Sequence, residues 1–146
     1  MNWKKGRGKL GIFDPLIGDW ISKGSKDQRN QYCTRSFKYD LGKNYIIEDV
    51  VWHFGDKKYI DHTIIGLDRD KVITFWSFTS DGKNSTGKLA DVSDIHKQAF
   101  GFEATMPAGI ARQVFWPDEE DGFNWVVESK NVKGWKRFVL HNYRRC

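Results

Sequence analysis

The sequence predicts an all-β fold: a closed up-and-down antiparallel barrel of about ten strands with very little helix. Three observations favour this fold. Aromatic residues make up 15% of the chain, including seven Trp, and aromatic side chains are enriched in strands. Extended runs of aromatic and β-branched residues alternate with tips of Gly, Asp, Asn and Lys, which hairpin turns use. Helical periodicity is almost absent. A barrel is predicted rather than an open sheet, because closing a long meander removes its two unpaired edge strands.

The predicted elements follow one another without a linker rich in Pro, Gly or Ser. One helical turn is expected over residues 10–16, and an irregular loop or short turn over 89–98. The expected strands are residues 17–24, 31–39, 44–54, 58–67, 71–79, 84–92, 99–104, 111–116, 122–128 and 135–143. We therefore expect one barrel domain over residues 10–146.

The positive charge is concentrated at the N-terminus. The net charge is +5, and Lys4, Lys5, Arg7 and Lys9 are four of the 24 basic residues. The other 20 nearly balance 19 acidic residues. A nucleic-acid-binding domain more often carries its cations across the folded body. We therefore expect residues 1–9 to form a flexible basic arm, and we expect no nucleic-acid partner.

The sequence favours a cytoplasmic protein. No apolar run reaches the roughly 18–20 residues that a membrane helix needs, and no apolar segment of a secretory signal follows the basic N-terminus. Cys33 and Cys146 have neither CxxC nor metal-ligand spacing. We expect a reduced compartment, no membrane contact and no metal, with a disulfide as the alternative. Either a monomer or a homodimer is compatible with this pattern.

Strand alternation places two charged side chains inside the predicted barrel. Arg35 shares the more apolar face of the second strand, and Glu48 shares a face with apolar neighbours in the third. A four-residue tip at 40–43 puts Arg35 directly opposite Glu48 and Phe37 opposite Ile46. Buried charges are retained in proteins when they are paired with an opposite charge or serve a function such as ligand binding. The pair either fixes the strand register or anchors the polar end of a ligand.

A barrel of this size has room for a small ligand. We predict that it binds a small, mostly apolar or amphipathic ligand, such as a fatty acid, with its polar end held by Arg35 and Glu48. The predicted aromatic lining is Phe37, Trp52, Phe75, Trp76 and Phe102, and His62 is predicted as a further ligand-binding residue. Trp20 and Trp125 are expected in the core or the cavity wall as well.

Catalysis is the alternative function, and it depends on His62. A three-residue tip at 55–57 turns His62 inward, whereas a two-residue tip turns it outward. In the inward position, Glu48 as base and His62 as acid suit isomerisation or dehydration of an apolar substrate. The sequence favours binding over an enzyme, because this acid–base constellation is thin and cavity-shaped folds bind small molecules by default.

The segment Leu16-Ile17-Gly18-Asp19-Trp20, followed by Gly24, resembles the Gly-x-Trp opening of the calycin barrels, which include lipocalins and fatty-acid-binding proteins. The resemblance implies that Trp20 closes one end of the barrel and that Gly18 permits a close approach. Further short segments resemble an uncharacterised bacterial lipocalin-like family. They are Arg35-Ser-Phe37, Leu41-Gly42-Lys43, Ile47-Glu48, Gly66-Leu67-Asp68, Phe75-Trp76, Asp81-Gly82 and Gly134-Trp135-Lys136 through Tyr143-Arg144-Arg145.

The nitrobindins, haem barrels of related shape, open with a similar strand. This chain has Ser22 and Lys23 near the position of their second Gly and lacks the Pro-Thr-Ile that follows there. Their haem-ligating His lies late in the chain, and the nearest counterpart here is His141. We expect no cofactor, and haem bound by His141 is the alternative.

Overall fold

Ten antiparallel strands close into a barrel in the computed structural model of this chain, which describes residues 3–23 and 31–146. Each strand pairs with the next in sequence, and the last pairs with the first. A short 3-10 helix, Gly11–Leu16, precedes the sheet. The strands are β1 (Gly18–Lys23), β2 (Gln31–Asp40), β3 (Tyr45–Phe54), β4 (Lys57–Leu67), β5 (Ile73–Thr79), β6 (Asn84–Ala90), β7 (Phe100–Met106), β8 (Gly109–Pro117), β9 (Phe123–Asn131) and β10 (Gly134–Arg145). The predicted fold class is confirmed.

The turn between β2 and β3 lies one residue later than predicted. Asp40 remains in the strand and pairs with Tyr45, and its carboxylate accepts the N–H of Leu41 at 2.8 Å. The tip is therefore 41–44, closed by the Asn44 side-chain amide, which donates to the Leu41 carbonyl at 2.9 Å. Every pairing between the two strands shifts as a result.

The predicted register between β2 and β3 is therefore wrong. Arg35 lies opposite Val50, and Phe37 lies opposite Glu48. Because the shift is two residues in the partner strand, both charged side chains still face the interior. Arg35 and Glu48 are diagonal neighbours rather than a directly opposed pair.

Trp20 closes one end of the barrel, as the resemblance to the calycin opening implies. It is 2% exposed, its indole N–H donates to the Leu16 carbonyl at 2.7 Å, and its ring packs edge-on against Phe123 at 4.8 Å. Arg145 lies over its ring at 4.2 Å. A Cβ at Gly18 would lie 2.5 Å from Arg145 Nη1, so Gly18 is the close-approach position.

The described part of the N-terminal segment contacts this closed end. The Trp3 ring lies 5.6 Å from that of Phe100, and the N–H of Gly6 donates to the Gly11 carbonyl at 2.8 Å. Lys4, Lys5 and the other basic residues of the segment are exposed. The flexibility predicted for residues 1–9 stays a prediction, and residues 1 and 2 lie outside the described chain.

The connection between β6 and β7 packs against the outer face of the sheet. Val92 in this connection forms a small buried cluster with Val114 and Val126. Arg112 donates to both oxygens of Asp94, at 3.1 and 2.8 Å, and to Glu128 at 2.9 Å. Apolar burial and a multiply bonded arginine together hold residues 91–99 on the barrel wall.

Both cysteines are free thiols: Cys33 is buried in the interior and Cys146 is exposed at the chain terminus. The alternative of a disulfide does not occur in this structure. Among the described residues, no helix has the length and apolarity to cross a membrane.

Candidate ligand-binding cavity

The interior holds a cavity of about 400 Å³, within the range of small-molecule sites. Its mouth lies near the end of β7, where Met106 lines the cavity and is 38% exposed. The apolar lining includes Val50, Trp52, Phe75, Phe102, Trp125 and Val127. The polar lining includes Arg35, Glu48, Asp61, Thr63, Ser77 and Gln113. Mostly apolar walls with a few polar groups are typical of ligand sites.

Arg35 and Glu48 form a buried ion pair on the cavity wall. Arg35 Nη1 donates to a Glu48 carboxylate oxygen, and both side chains are 3% exposed. Arg35 Nη2 donates to the Tyr143 hydroxyl at 3.2 Å, and the guanidinium lies over the Trp125 ring at 4.2 Å. Arg35 Nε is buried and has no hydrogen-bond partner among the described residues. Nε is therefore the one guanidinium nitrogen that donates to no acceptor in this part of the chain, and an added acceptor could satisfy it.

Burial controls the protonation of these groups. It raises the pKa of Glu48 above that of an ordinary carboxyl, and the Arg35 charge opposes the rise. Burial lowers the pKa of Arg35, but Tyr143 and Glu48 outweigh it, so the net pKa is raised and the guanidinium stays charged. Asp61 is half-buried, and burial raises its pKa against the Thr63 hydroxyl bond and the Arg35 charge.

The structure brings most of the predicted lining together. Arg35, Glu48, Trp52, Phe75 and Phe102 all line the cavity. Phe37 is interior but belongs to the closed half of the barrel, where its ring lies 6.2 Å from Phe115 and 6.4 Å from Phe123.

Trp76 does not face the interior, and this part of the prediction is wrong. Phe75 and Ser77 line the cavity, so alternation turns Trp76 outward. Its strand partner Ile64 is 37% exposed. Trp76 instead lines a groove on the outer surface together with Phe78. Alternation already excludes Phe75 and Trp76 from sharing a face, and the sequence left open only which of the two points inward, because both faces of β5 carry aromatic residues.

His62 lies outside the barrel. Phe54 pairs with Lys57, so the tip between β3 and β4 has two residues, and its Gly55 has a positive φ of 63°. The His62 side chain is 68% exposed and binds the carboxylate of Asp49 on the outer surface. The predicted acid–base pair of Glu48 and His62 is therefore wrong, because Glu48 lines the cavity and His62 lies outside it. The catalytic alternative depended on this pair.

His141 faces inward but is not among the described residues that line the cavity. Its ring lies 4.9 Å from Trp52 and 5.4 Å from Trp125, and its Nδ1 forms a 3.2 Å hydrogen bond with the Tyr143 hydroxyl. Burial and the Arg35 charge lower the pKa of His141 to about 4. Residues 3–23 and 31–146 contain no cluster of three or more potential metal ligands from His, Cys, Asp and Glu. Haem binding by His141 stays a prediction.

Asp61 is a cavity-lining residue that sequence reasoning missed. It lines the cavity beside Thr63 and adds a second carboxylate to the interior. The signal was present, because the two-residue tip that turns His62 outward necessarily turns Asp61 inward. The length of the turn between β3 and β4 alone decides whether His62 or Asp61 faces the interior.

Comparison of the chain with protein-family models, curated proteins and solved structures finds no match in any of the three. The closed ten-strand barrel is consistent with a calycin-like fold. Membership of the lipocalin-like family stays a prediction.

Proposed function

We propose that this protein binds a small, mostly apolar ligand inside the barrel, with its polar end at Arg35 and Glu48. The observation that supports this proposal is the cavity of about 400 Å³, which is lined by apolar side chains and by Arg35. The buried Nε of Arg35 has no hydrogen-bond partner among the described residues. A buried donor without an acceptor costs about 1–3 kcal/mol. A ligand oxygen that reaches Nε removes this penalty and fixes the ligand's orientation.

The aromatic walls supply the affinity. Rings from Trp52, Phe75, Phe102 and Trp125 border the cavity. Each CH₂ group that leaves water contributes about 0.8 kcal/mol, so a short hydrocarbon chain outweighs a single hydrogen bond. The polar end then sets orientation and selectivity rather than overall affinity.

Binding can be tested with a neutral fluorescent probe, N-phenyl-1-naphthylamine, displaced by octan-1-ol. Ala104 lines the cavity, whereas the next residue, Thr105, is exposed on the outer face. Ala104→Phe places a ring in the cavity, and Thr105→Phe places the same ring outside as the matched control. We expect wild type and Thr105→Phe to bind the probe alike, and Ala104→Phe to bind it at least about tenfold more weakly, a loss of about 1.4 kcal/mol.

Circular dichroism and thermal unfolding would check that both variants retain the barrel. Equal probe binding by folded Ala104→Phe and wild type would contradict an interior site. An equal loss in both variants would show that the probe reports on fold stability rather than on the cavity.

A further inference from the structure

The cavity carries an excess of negative charge. Glu48 neutralises Arg35 within their ion pair, while Asp61 adds a second carboxylate to the same wall. Arg112 also borders the cavity, but its side chain turns to the outer face of the sheet, where its guanidinium binds Asp94 and Glu128. Arg35 and Arg112 are thus both already neutralised, and neither leaves a positive charge for an anionic ligand.

Asp61 has no salt-bridge partner among the residues that the structure describes. Its carboxylate accepts the Thr63 hydroxyl at 2.8 Å, and it forms no salt bridge within the described ranges 3–23 and 31–146. Burial raises its pKa, and the Arg35 charge is close enough to oppose the rise. The carboxylate therefore has acceptor capacity directed at the cavity that the protein leaves unused.

Arg35 and Asp61 lie in one row across the sheet. Val50 of β3 is the direct partner of Arg35 in β2 and of Asp61 in β4. Neighbouring strands lie about 4.8 Å apart, so the two Cα atoms are separated by roughly twice that spacing. Arg35, whose buried Nε has no partner among the described residues, and Asp61, whose carboxylate has acceptor capacity left, thus line the same cavity.

We infer that the polar head of the ligand is uncharged and carries both a hydrogen-bond acceptor and a donor, as a primary amide does. This inference rests on the proposed function. The amide oxygen accepts from Arg35 Nε, and the amide N–H donates to Asp61. A carboxylate head offers no donor and meets the negative charge of Asp61, whereas an ammonium head offers no acceptor and leaves Arg35 Nε without a partner.

The test is displacement of N-phenyl-1-naphthylamine at pH 7.5 by octanamide, octanoate and octylamine, which share a chain length and differ in the head. Octanoate is ionised and octylamine is protonated at this pH. We expect octanamide to bind at least about tenfold more tightly than octanoate, because like charges in a binding site are strongly unfavourable. We expect octylamine to bind more weakly than octanamide as well.

Asp61→Asn tests the role of the carboxylate. It removes the charge with little change of volume, so we expect the octanamide-to-octanoate affinity ratio to fall at least about threefold, chiefly through tighter octanoate binding. Asp49→Asn is the matched control: it removes the same charge from the adjacent strand, where Asp49 binds His62 on the outer surface. We expect the control to leave the ratio unchanged.

The outcomes separate this inference from the proposed function. If octanoate or octylamine binds as tightly as octanamide in wild type, the inference is overturned while the cavity remains a binding site. The same follows if Asp61→Asn and Asp49→Asn change the ratio equally. If neither the probe nor any octyl compound binds wild type, the proposed function itself fails.

Discussion

Replacing Glu48 by Met leaves the Arg35 guanidinium in the interior without its counterion. Both side chains are 3% exposed, and breaking such a pair from one side costs about 3–5 kcal/mol. Arg35 retains the Tyr143 hydroxyl at 3.2 Å and the Trp125 ring at 4.2 Å. These contacts, together with the Asp61 charge, put the expected loss for Glu48→Met near the lower limit, at about 3 kcal/mol.

The opposite single change, Arg35→Met, is expected to be milder. Burial already raises the pKa of Glu48, so the stranded carboxyl can take up a proton instead of remaining charged, and we expect a loss of about 2 kcal/mol. The double variant removes both charges and keeps apolar volume. We expect it to lie within about 1 kcal/mol of wild type, a coupling of roughly 4 kcal/mol between the two sites.

Urea unfolding of the four proteins measures this coupling, provided that the slope m is shared. Lys88→Met serves as a control, since Lys88 forms an exposed salt bridge with Asp68 at 3.0 Å and is expected to change the midpoint little. If the losses of the two interior single variants simply add in the double variant, the two charges do not depend on each other for burial. That result would refute the conclusion that Arg35 and Glu48 stabilise each other's charge on the cavity wall.

Three further outcomes are expected. The pKa of about 4 for His141 lies below the unfolded value of about 6.5, so the folded state binds fewer protons and stability falls as pH drops between these values. Allowing for partial exposure, the loss is about 2 kcal/mol, and urea unfolding from pH 7 to 4 should show a shallower decline for His141→Gln than for wild type. Burial raises the pKa of the Cys33 thiol while Cys146 is exposed, so an Ellman assay should titrate one thiol in the native protein and two in denaturant; two in the native protein would contradict the burial. Gly18 and Gly134 both have positive φ, 129° and 121°, but only at Gly18 would a Cβ meet an arginine side chain, at 2.5 Å. Thermal unfolding should therefore show a larger loss for Gly18→Ala than for Gly134→Ala, and equal losses would contradict the close approach.

The order and approximate bounds of all ten strands followed from the sequence, because turn chemistry and alternation are local properties. The tip between β5 and β6, for example, contains Asp81 and Gly82, and Gly82 has a φ of 83°. Closure followed from a general property of sheets, the instability of bare edges. The position of Trp20 at the closed end came from a short resemblance rather than from any local rule.

The interior was harder to predict, because a turn that is one residue shorter or longer moves the side chains of a whole strand to the other face. The two-residue tip between β3 and β4 moved His62 to the surface and brought Asp61 inside. In β5, apolar residues on both faces concealed the direction of Trp76. The prediction that Arg35 and Glu48 face the interior held despite the error in register, because a shift of two residues leaves every side chain on the same face of the sheet. Their contact is thus less sensitive to turn length than their exact pairing.

The same guanidinium connects the stability of the barrel to its proposed ligand. Arg35 lies where the packed aromatic half meets the cavity, 5.9 Å from Phe115 and 4.2 Å from Trp125. Glu48 and Tyr143 each accept a hydrogen bond from one of its terminal nitrogens, while Nε has no partner in the described chain. A ligand that supplies the missing acceptor binds only the folded protein, so it must raise the free energy of unfolding, by about 2.7 kcal/mol at a concentration of 100 times its Kd. Thermal stabilisation by octanamide that is lost in the Arg35→Met/Glu48→Met protein would therefore report on the anchor itself, whereas stabilisation that persists would mean that the aromatic walls alone hold the ligand.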